Sequence, residues 1–199
     1  MKFHKFISVI FHPIVIPTIV VLLFLSLSSD IISKERQYLL ISIVFFSTYI
    51  IPLISLVILK ALGVINSLKV NSIKERKIPL FIILVIFYIL GKLLLNISVF
   101  RELGMLFFGT NLALVAVYFL FFFKIKTSLH VLSMSSTLGF VLIYGSVHSI
   151  ATLPITMLLI ILTGILASAR LHLKAHTALE IYLGFFLGLA GQFIYYFLL

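Results

Sequence analysis

PLFIILVIFYILGKLLLNIS, residues 79–98, decides the fold. It holds a single charge, Lys92, in 20 residues. A helix of that length spans about 30 Å, the hydrocarbon thickness of a bilayer. In lipid every backbone N–H and C=O must be satisfied within the structure, which leaves helices and closed barrels. The run is too long for a barrel strand, so it predicts a transmembrane helix. Lys92 is read as a snorkelling or paired side chain.

Similar runs lie on both sides, at about 6–28, 38–62, 103–123, 128–147, 150–168 and 178–199. The expectation is an all-α, polytopic transmembrane bundle of about six to seven helices. No repeat, linker or low-complexity stretch interrupts it, so residues 1–199 read as a single membrane domain. The composition agrees: 63% of residues are hydrophobic and only 10% charged, too little charge for a soluble domain. There is no cysteine, which excludes disulfides and thiolate chemistry. Net charge is +10, from 15 Lys and Arg against 5 Asp and Glu. The cations form short clusters between apolar runs and not a continuous face, so nucleic acid is not an expected partner. The first run follows Met1-Lys2-Phe3-His4-Lys5 and resembles a signal peptide. Its length of roughly 20 residues and its Pro13 and Pro17 predict instead an uncleaved first helix. The location expected is a cell membrane, crossed several times, with the bacterial inner membrane as the specific reading.

Counting crossings assigns the polar segments to sides. The N-terminus, the 63–78 loop, the 124–127 break and the 168–177 segment fall on one face; Asp30, Arg101, Glu102 and the His148 turn fall on the other. Three of the first set carry chemistry. In Lys69-Val70-Asn71-Ser72-Ile73-Lys74-Glu75-Arg76, the cations Lys69 and Arg76 are two helical turns apart and suit a phosphate. As a plain alternative, this is a basic loop at a membrane surface. In Thr127-Ser128-Leu129-His130, either hydroxyl residue is a good N-cap, and a helix N-terminus is a ready anion site that His130 could face. In Arg170-Leu171-His172-Leu173-Lys174-Ala175-His176-Thr177-Ala178-Leu179-Glu180, His176 and Glu180 stand at i and i+4 on one helical face. A carboxylate there would fix the tautomer of the imidazole, and charges so close to a span point to function.

Lys69-x6-Arg76, Ser128-x-His130 and Arg170-x5-His176-x3-Glu180 together resemble the three-part signature of the phosphatidic acid phosphatase type 2 superfamily, the lipid phosphatases and haloperoxidases. Seven positions match in order, spacing and type over residues 69–180, inside a phosphatase-like core of about 60–199. The departures are Pro79 displaced by two positions, Thr127 and Leu129 for proline and glycine, an alanine inserted before Arg170, and Glu180 for aspartate. Leu129 bears on the oxyanion geometry that the glycine serves.

The resemblance implies a membrane hydrolase of lipid phosphate or pyrophosphate esters, working without metal or cofactor. His176 would be the nucleophile, Glu180 its orienting partner and His130 the general acid and base. Lys69, Arg76, Ser128 and Arg170 would bind the phosphoryl oxygens. The expected partners are a lipid phosphate substrate and the surrounding membrane lipids. The resemblance implies a site facing away from the cytoplasm, whereas the lysines of the same face point inward. Three other readings stand beside it: a catalytically impaired lipid-phosphate-binding protein of the same fold; a metal site of His172, His176 and Glu180; and a transporter lined by Lys92, Asn96 and the Gly184, Gly188, Gly191 stripe. Glycines in such a stripe more simply let helices pack closely.

Overall fold

A computed structural model describes residues 2–28, 32–68, 70 and 72–198. These residues form helices joined by short turns, and none of them lies in a strand. Six helices are long and apolar enough to cross a membrane: α3 (Lys34–Ala61), α4 (Ile73–Leu95), α5 (Ser98–Phe123), α6 (Leu129–His148), α7 (Leu153–His172) and α8 (Ala178–Leu198). Two shorter helices precede them, α1 (Lys2–Ile10) and α2 (Ile16–Leu27). The chain is thus a multi-pass helical bundle.

The first apolar run departs from the single helix expected over 6–28. It breaks at residues 11–15, between α1 and α2. Pro13 has no N–H to donate, and its ring would meet the carbonyl of Val9, so the first helix cannot continue through it. Pro17 sits in the first turn of α2, where the missing N–H costs nothing. The twelve residues of α2 rise only about 18 Å, short of a full crossing. Even so, α2 leads from His12, whose ring lies 5.0 Å from that of His130, to Ser28, whose hydroxyl bonds the Tyr144 hydroxyl at 2.6 Å. His130 and Tyr144 stand near opposite ends of α6, so the N-terminus lies on the face that crossing parity gave it. α1 exposes Phe3, Phe6 and Val9 and packs along α7. A proline also marks α3: a π turn over Phe46–Ile50 precedes Pro52 and accommodates the hydrogen bond that the proline removes.

α6 is the centre of the bundle. Its most apolar window is 72% buried, against 44% or less for the other five long helices. Its closest partner is α8, and the glycine stripe sets their distance. A Cβ on Gly184 would stand 2.6 Å from the Ser128 carbonyl oxygen, and one on Gly188 would strike Leu132 O and Ser135 Oγ. With backbones this close, Ser136 Oγ reaches Gly188 O at 3.3 Å. Gln192 on α8 donates to Leu106 O and Thr110 Oγ1 on α5, closing a polar clasp in the apolar middle. This tight α5–α6–α8 core carries the N-terminus of α6 and that of α8 to the same end of the bundle. Ser128 N–H donates to Glu180 O at 3.0 Å and locks the two together.

Candidate active site

The site is built from helix ends. α8 begins with a capping box: Glu180 N–H donates to Thr177 Oγ1 at 3.3 Å, and Thr177 N–H donates to Glu180 Oε2 at 3.4 Å. The same carboxylate oxygen accepts His176 Nδ1–H at 2.6 Å. One acidic side chain thus starts the helix and fixes the imidazole tautomer, leaving Nε2 with its lone pair. The His176 side chain is 2% exposed. Burial pushes its imidazolium down to about pKa 4; the Arg170 and Arg76 charges push the same way, against the Glu180 carboxylate. His176 is therefore neutral at pH 7, the state a nucleophile needs.

α4 begins with a second capping box, between Ser72 and Glu75. Glu75 Oε1 also takes both the backbone and the side-chain N–H of Asn66, at 3.0 and 2.7 Å, which draws Asn66 onto the helix end. Arg76 is held by its own loop and by α6: Nε donates to Val70 O at 3.0 Å, and Nη1 reaches Thr127 O at 3.5 Å. Lys69 lies outside the described residues. Arg76 itself stands in the first turn of α4, which starts at Ile73.

At the start of α6, Ser128 takes the N-cap position but makes no side-chain cap bond. The expected cap is absent; instead Ser128 Oγ and Thr127 Oγ1 are both buried without a hydrogen-bond partner. Buried hydroxyls without partners are costly. Here they stand beside a helix end whose first amides have no intrahelical acceptor. His130 is 9% exposed, and its Nε2–H donates to the backbone oxygen of Ser8 at 3.2 Å. Arg170, in the last turn of α7, donates through Nη1 to Ser8 Oγ at 2.7 Å, while its Nε is buried without a partner. The orphaned guanidinium N–H of Arg170, which lines the cleft, fits an anion that would accept from it, whereas Thr127 and Ser128 are not among the lining residues of that cleft.

Arg76, His130, Arg170 and His176 line one cleft of about 150 Å³. Its other wall is apolar, with Pro52, Leu56, Leu80, Ile83, Phe121 and Leu129. Leu129, which stands where the family signature has glycine, turns its side chain to this wall. A smaller cavity of about 30 Å³ continues from it along Pro52, Leu80, Ile83 and Leu129 toward Phe87 and Leu114. The cleft thus grades from cationic to hydrocarbon, as a phosphate with an attached chain would require. His172 lies elsewhere, with its ring 4.1 Å from that of His4. Among the described residues no three histidine or carboxylate side chains gather as a metal-ligand set, so His172, His176 and Glu180 do not converge.

Two residues at the cleft went unread in the sequence. The break at Pro13 carries His12 into the cleft wall, where burial and then the Arg170 charge lower its pKa. Ser8 stands beside it, bonded to Arg170 and His130. Neither residue has a local signal: Ser8 and His130 are 122 positions apart.

No family model matches the chain, and neither a curated protein nor a solved structure matches it. The likeness to the phosphatase superfamily rests on the motif residues and their spacing.

Proposed function

We propose that the chain is a membrane phosphatase that hydrolyses a lipid phosphate or pyrophosphate through a phosphohistidine intermediate. The observation that carries this reading is the His176–Glu180 pair at 2.6 Å, in a cleft shared with two guanidiniums and bordered by an apolar wall. The motif order and spacing support it independently.

In the first step the Nε2 lone pair of His176 attacks phosphorus, and the bond from phosphorus to the leaving oxygen breaks. Nδ1 keeps its proton, and the Glu180 carboxylate stabilises the ring cation that forms. Protonated His130 gives its proton to the leaving oxygen, so a neutral alcohol, or a phosphate monoester from a pyrophosphate, departs. Since Nε2 of His130 is occupied by the Ser8 carbonyl, Nδ1 is the nitrogen that serves. In the second step His130 takes a proton from water, the resulting hydroxide attacks phosphorus, and the bond to His176 Nε2 breaks to release inorganic phosphate. Phosphoryl transfer involves little covalent chemistry by the protein, and most of the acceleration comes from charge and position. Arg76, Arg170, Lys69 and the Ser128 hydroxyl supply that charge and position on the non-bridging oxygens. The enzyme works in a cell membrane, the bacterial inner membrane in the specific reading, and draws its substrate from the bilayer past the apolar wall.

The test is phosphate release from a panel of lipid phosphates and pyrophosphates by the purified protein, in the presence of a chelator. Turnover by the parent and none by His176→Ala is the expected result. A parent that binds these lipids but releases no phosphate would favour the impaired-binding reading, for which Leu129 in the second motif is the motive.

A further inference from the structure

We infer that Ser8, on the N-terminal helix, is a positioning residue of the anion site: its hydroxyl holds the Arg170 guanidinium and its carbonyl oxygen holds the His130 ring. The inference rests on the reading of the cleft as a phosphoryl-transfer site, and it adds α1, which none of the three motifs includes.

The sequence makes Ser8 available in a specific way. Pro13 stops α1, so the last carbonyls of that helix lack their usual donors. The His12 N–H bonds Val9 O at 3.3 Å, not Ser8 O four residues back. The Ser8 carbonyl is thereby freed, and His130 Nε2–H takes it at 3.2 Å. A carbonyl oxygen only accepts, so this contact requires the proton on Nε2 and assigns Nδ1 to the substrate. His176 is arranged in the opposite sense, with Nδ1–H held and Nε2 free. The two partners also differ in charge. A carboxylate raises the basicity of the nucleophile, while a neutral carbonyl orients the general acid without placing a negative charge beside it.

The hydroxyl acts on Arg170. Nη1 is the guanidinium nitrogen on the Cδ side, so anchoring it at 2.7 Å on Ser8 Oγ leaves the Nε–Nη2 edge open. That edge is the fork that binds two oxygens of a phosphate at once, and its Nε is the buried nitrogen without a partner. A neutral anchor suits this task, because an acidic residue at position 8 would cancel the charge meant for the substrate. Ser8 is 8% exposed, on a helix whose Phe6 and Val9 are 61% and 69% exposed. Burial of this one position, with its hydroxyl and its carbonyl committed to Arg170 and His130, is what distinguishes an element of the site from an interfacial anchor.

The experiment compares the full-length protein with Ser8→Ala, and Ser8→Val with its near-isosteric partner Ser8→Thr, which keeps the hydroxyl. Three quantities are read: the affinity for inorganic phosphate by titration calorimetry, and KM and kcat on a short-chain phosphatidic acid. Loss of the hydroxyl is expected to weaken phosphate binding and raise KM by about tenfold, the size of a lost hydrogen bond to a charged group. The expected change in kcat is less than about threefold, because the 3.2 Å bond from His130 to the carbonyl survives in every variant and only the longer 3.5 Å contact of His130 Nε2 with the hydroxyl is lost. Ser8→Thr is expected to restore both values, and the Thr–Val pair carries the comparison should Ser8→Ala fold poorly. Equal values in the parent and the Val variant would overturn the inference while leaving the phosphatase reading intact. Tighter phosphate binding without the hydroxyl would also overturn it, since Ser8 would then compete with substrate for Arg170. A parent that binds phosphate but turns over no lipid defeats the phosphatase reading alone, and the binding series then decides on Ser8. A parent that neither binds nor turns over defeats both.

Discussion

At one end of the bundle His176 Nδ1 meets Glu180 Oε2 at 2.6 Å; at the other, His148 Nε2 meets Glu102 Oε1 at 3.3 Å. The residue types are the same, and the surroundings are not. The His176 and Glu180 side chains are 2% and 17% exposed, in a cleft that also holds Arg76 and Arg170. The His148 and Glu102 side chains are 37% and 29% exposed, in a shallow cleft with Phe24, Ser28, Ser98, Val99 and Tyr144. Water screens the second pair and competes for both of its partners. The first pair is dry enough to force one tautomer, and burial first, with the Arg170 and Arg76 charges behind it, keeps the ring neutral. A histidine beside a carboxylate becomes chemistry only when burial and charge act on it together.

The harshest way to break the contrast is to delete each imidazole in turn. His176→Ala removes the proposed nucleophile and should lower kcat on a lipid phosphate by at least about 10⁴-fold. His148→Ala should leave turnover within about twofold, because the pair stands alone at the far end. Equal losses from the two variants, in phosphate-release assays, would show that burial had misled the assignment.

The carboxylates test the same contrast more finely. Glu180→Gln keeps the shape of the cap but removes the charge and the fixed tautomer; a loss of up to about 10⁴-fold in kcat is expected, the scale known for tautomer-fixing carboxylates. The pH profile adds a sign. His176 must be neutral to attack, so kcat/KM of the parent should rise with pH through about 4 and stay level above it on this limb. Glu180 is the neighbour that raises that pKa, so in Glu180→Gln the limb should move to lower pH. A limb near 6.5 in the parent would mean that His176 is solvated like an ordinary histidine.

The sequence revealed the motif end better than the details of either pair. Lipid imposes run length on every span, so six of the apolar runs could be read directly as the long helices α3 to α8. Parity then placed the loops, because each full crossing reverses the side. The contact of His176 with Glu180 was legible because a separation of four residues is local, although His176 stands just before α8 and not on a face of it as the spacing had suggested. The first run was misread for a physical reason: hydropathy measures transfer into lipid, and Pro13 acts on the backbone ladder instead. Ser8 and His12 were illegible because their partners are tertiary, Arg170 lying 162 positions from Ser8. Leu129 could be read as a departure from the family pattern, but only the packing shows its side chain on the apolar wall.

A milder intervention sharpens how the motif end is held together. Gly184→Ala adds one methyl where the Ser128 carbonyl oxygen stands 2.6 Å from the new Cβ. A backbone atom cannot swing aside as a side-chain tip would, so α8 must move off α6. That strains the Ser128 N–H to Glu180 O bond, which joins the second and third motifs. We expect a cost of about 1–3 kcal/mol, the usual range for overpacking. It should be visible as a lower Tm, with activity falling alongside because Glu180 and Ser128 shift together. Gly164→Ala is the control, since nothing lies within 4 Å of a Cβ there; its Tm should hold or rise, as alanine favours a helix.

The smallest effect belongs to the far pair itself. Glu102→Gln removes the charge that faces His148 across 3.3 Å. Both side chains are about a third exposed, so their Coulomb attraction is largely screened, and exposed ion pairs contribute about 0–1 kcal/mol. The variant should therefore melt within about 0.5 kcal/mol of the parent and release phosphate at the parent rate. The Ser28–Tyr144 bond, which ties the end of α2 to this end of α6, is untouched by the change and would hold the local packing. A measurable loss of turnover from Glu102→Gln would mean that the far end is coupled to the cleft through α6, which runs between them. The contrast between the two pairs would then be one of distance from the chemistry and not of involvement in it.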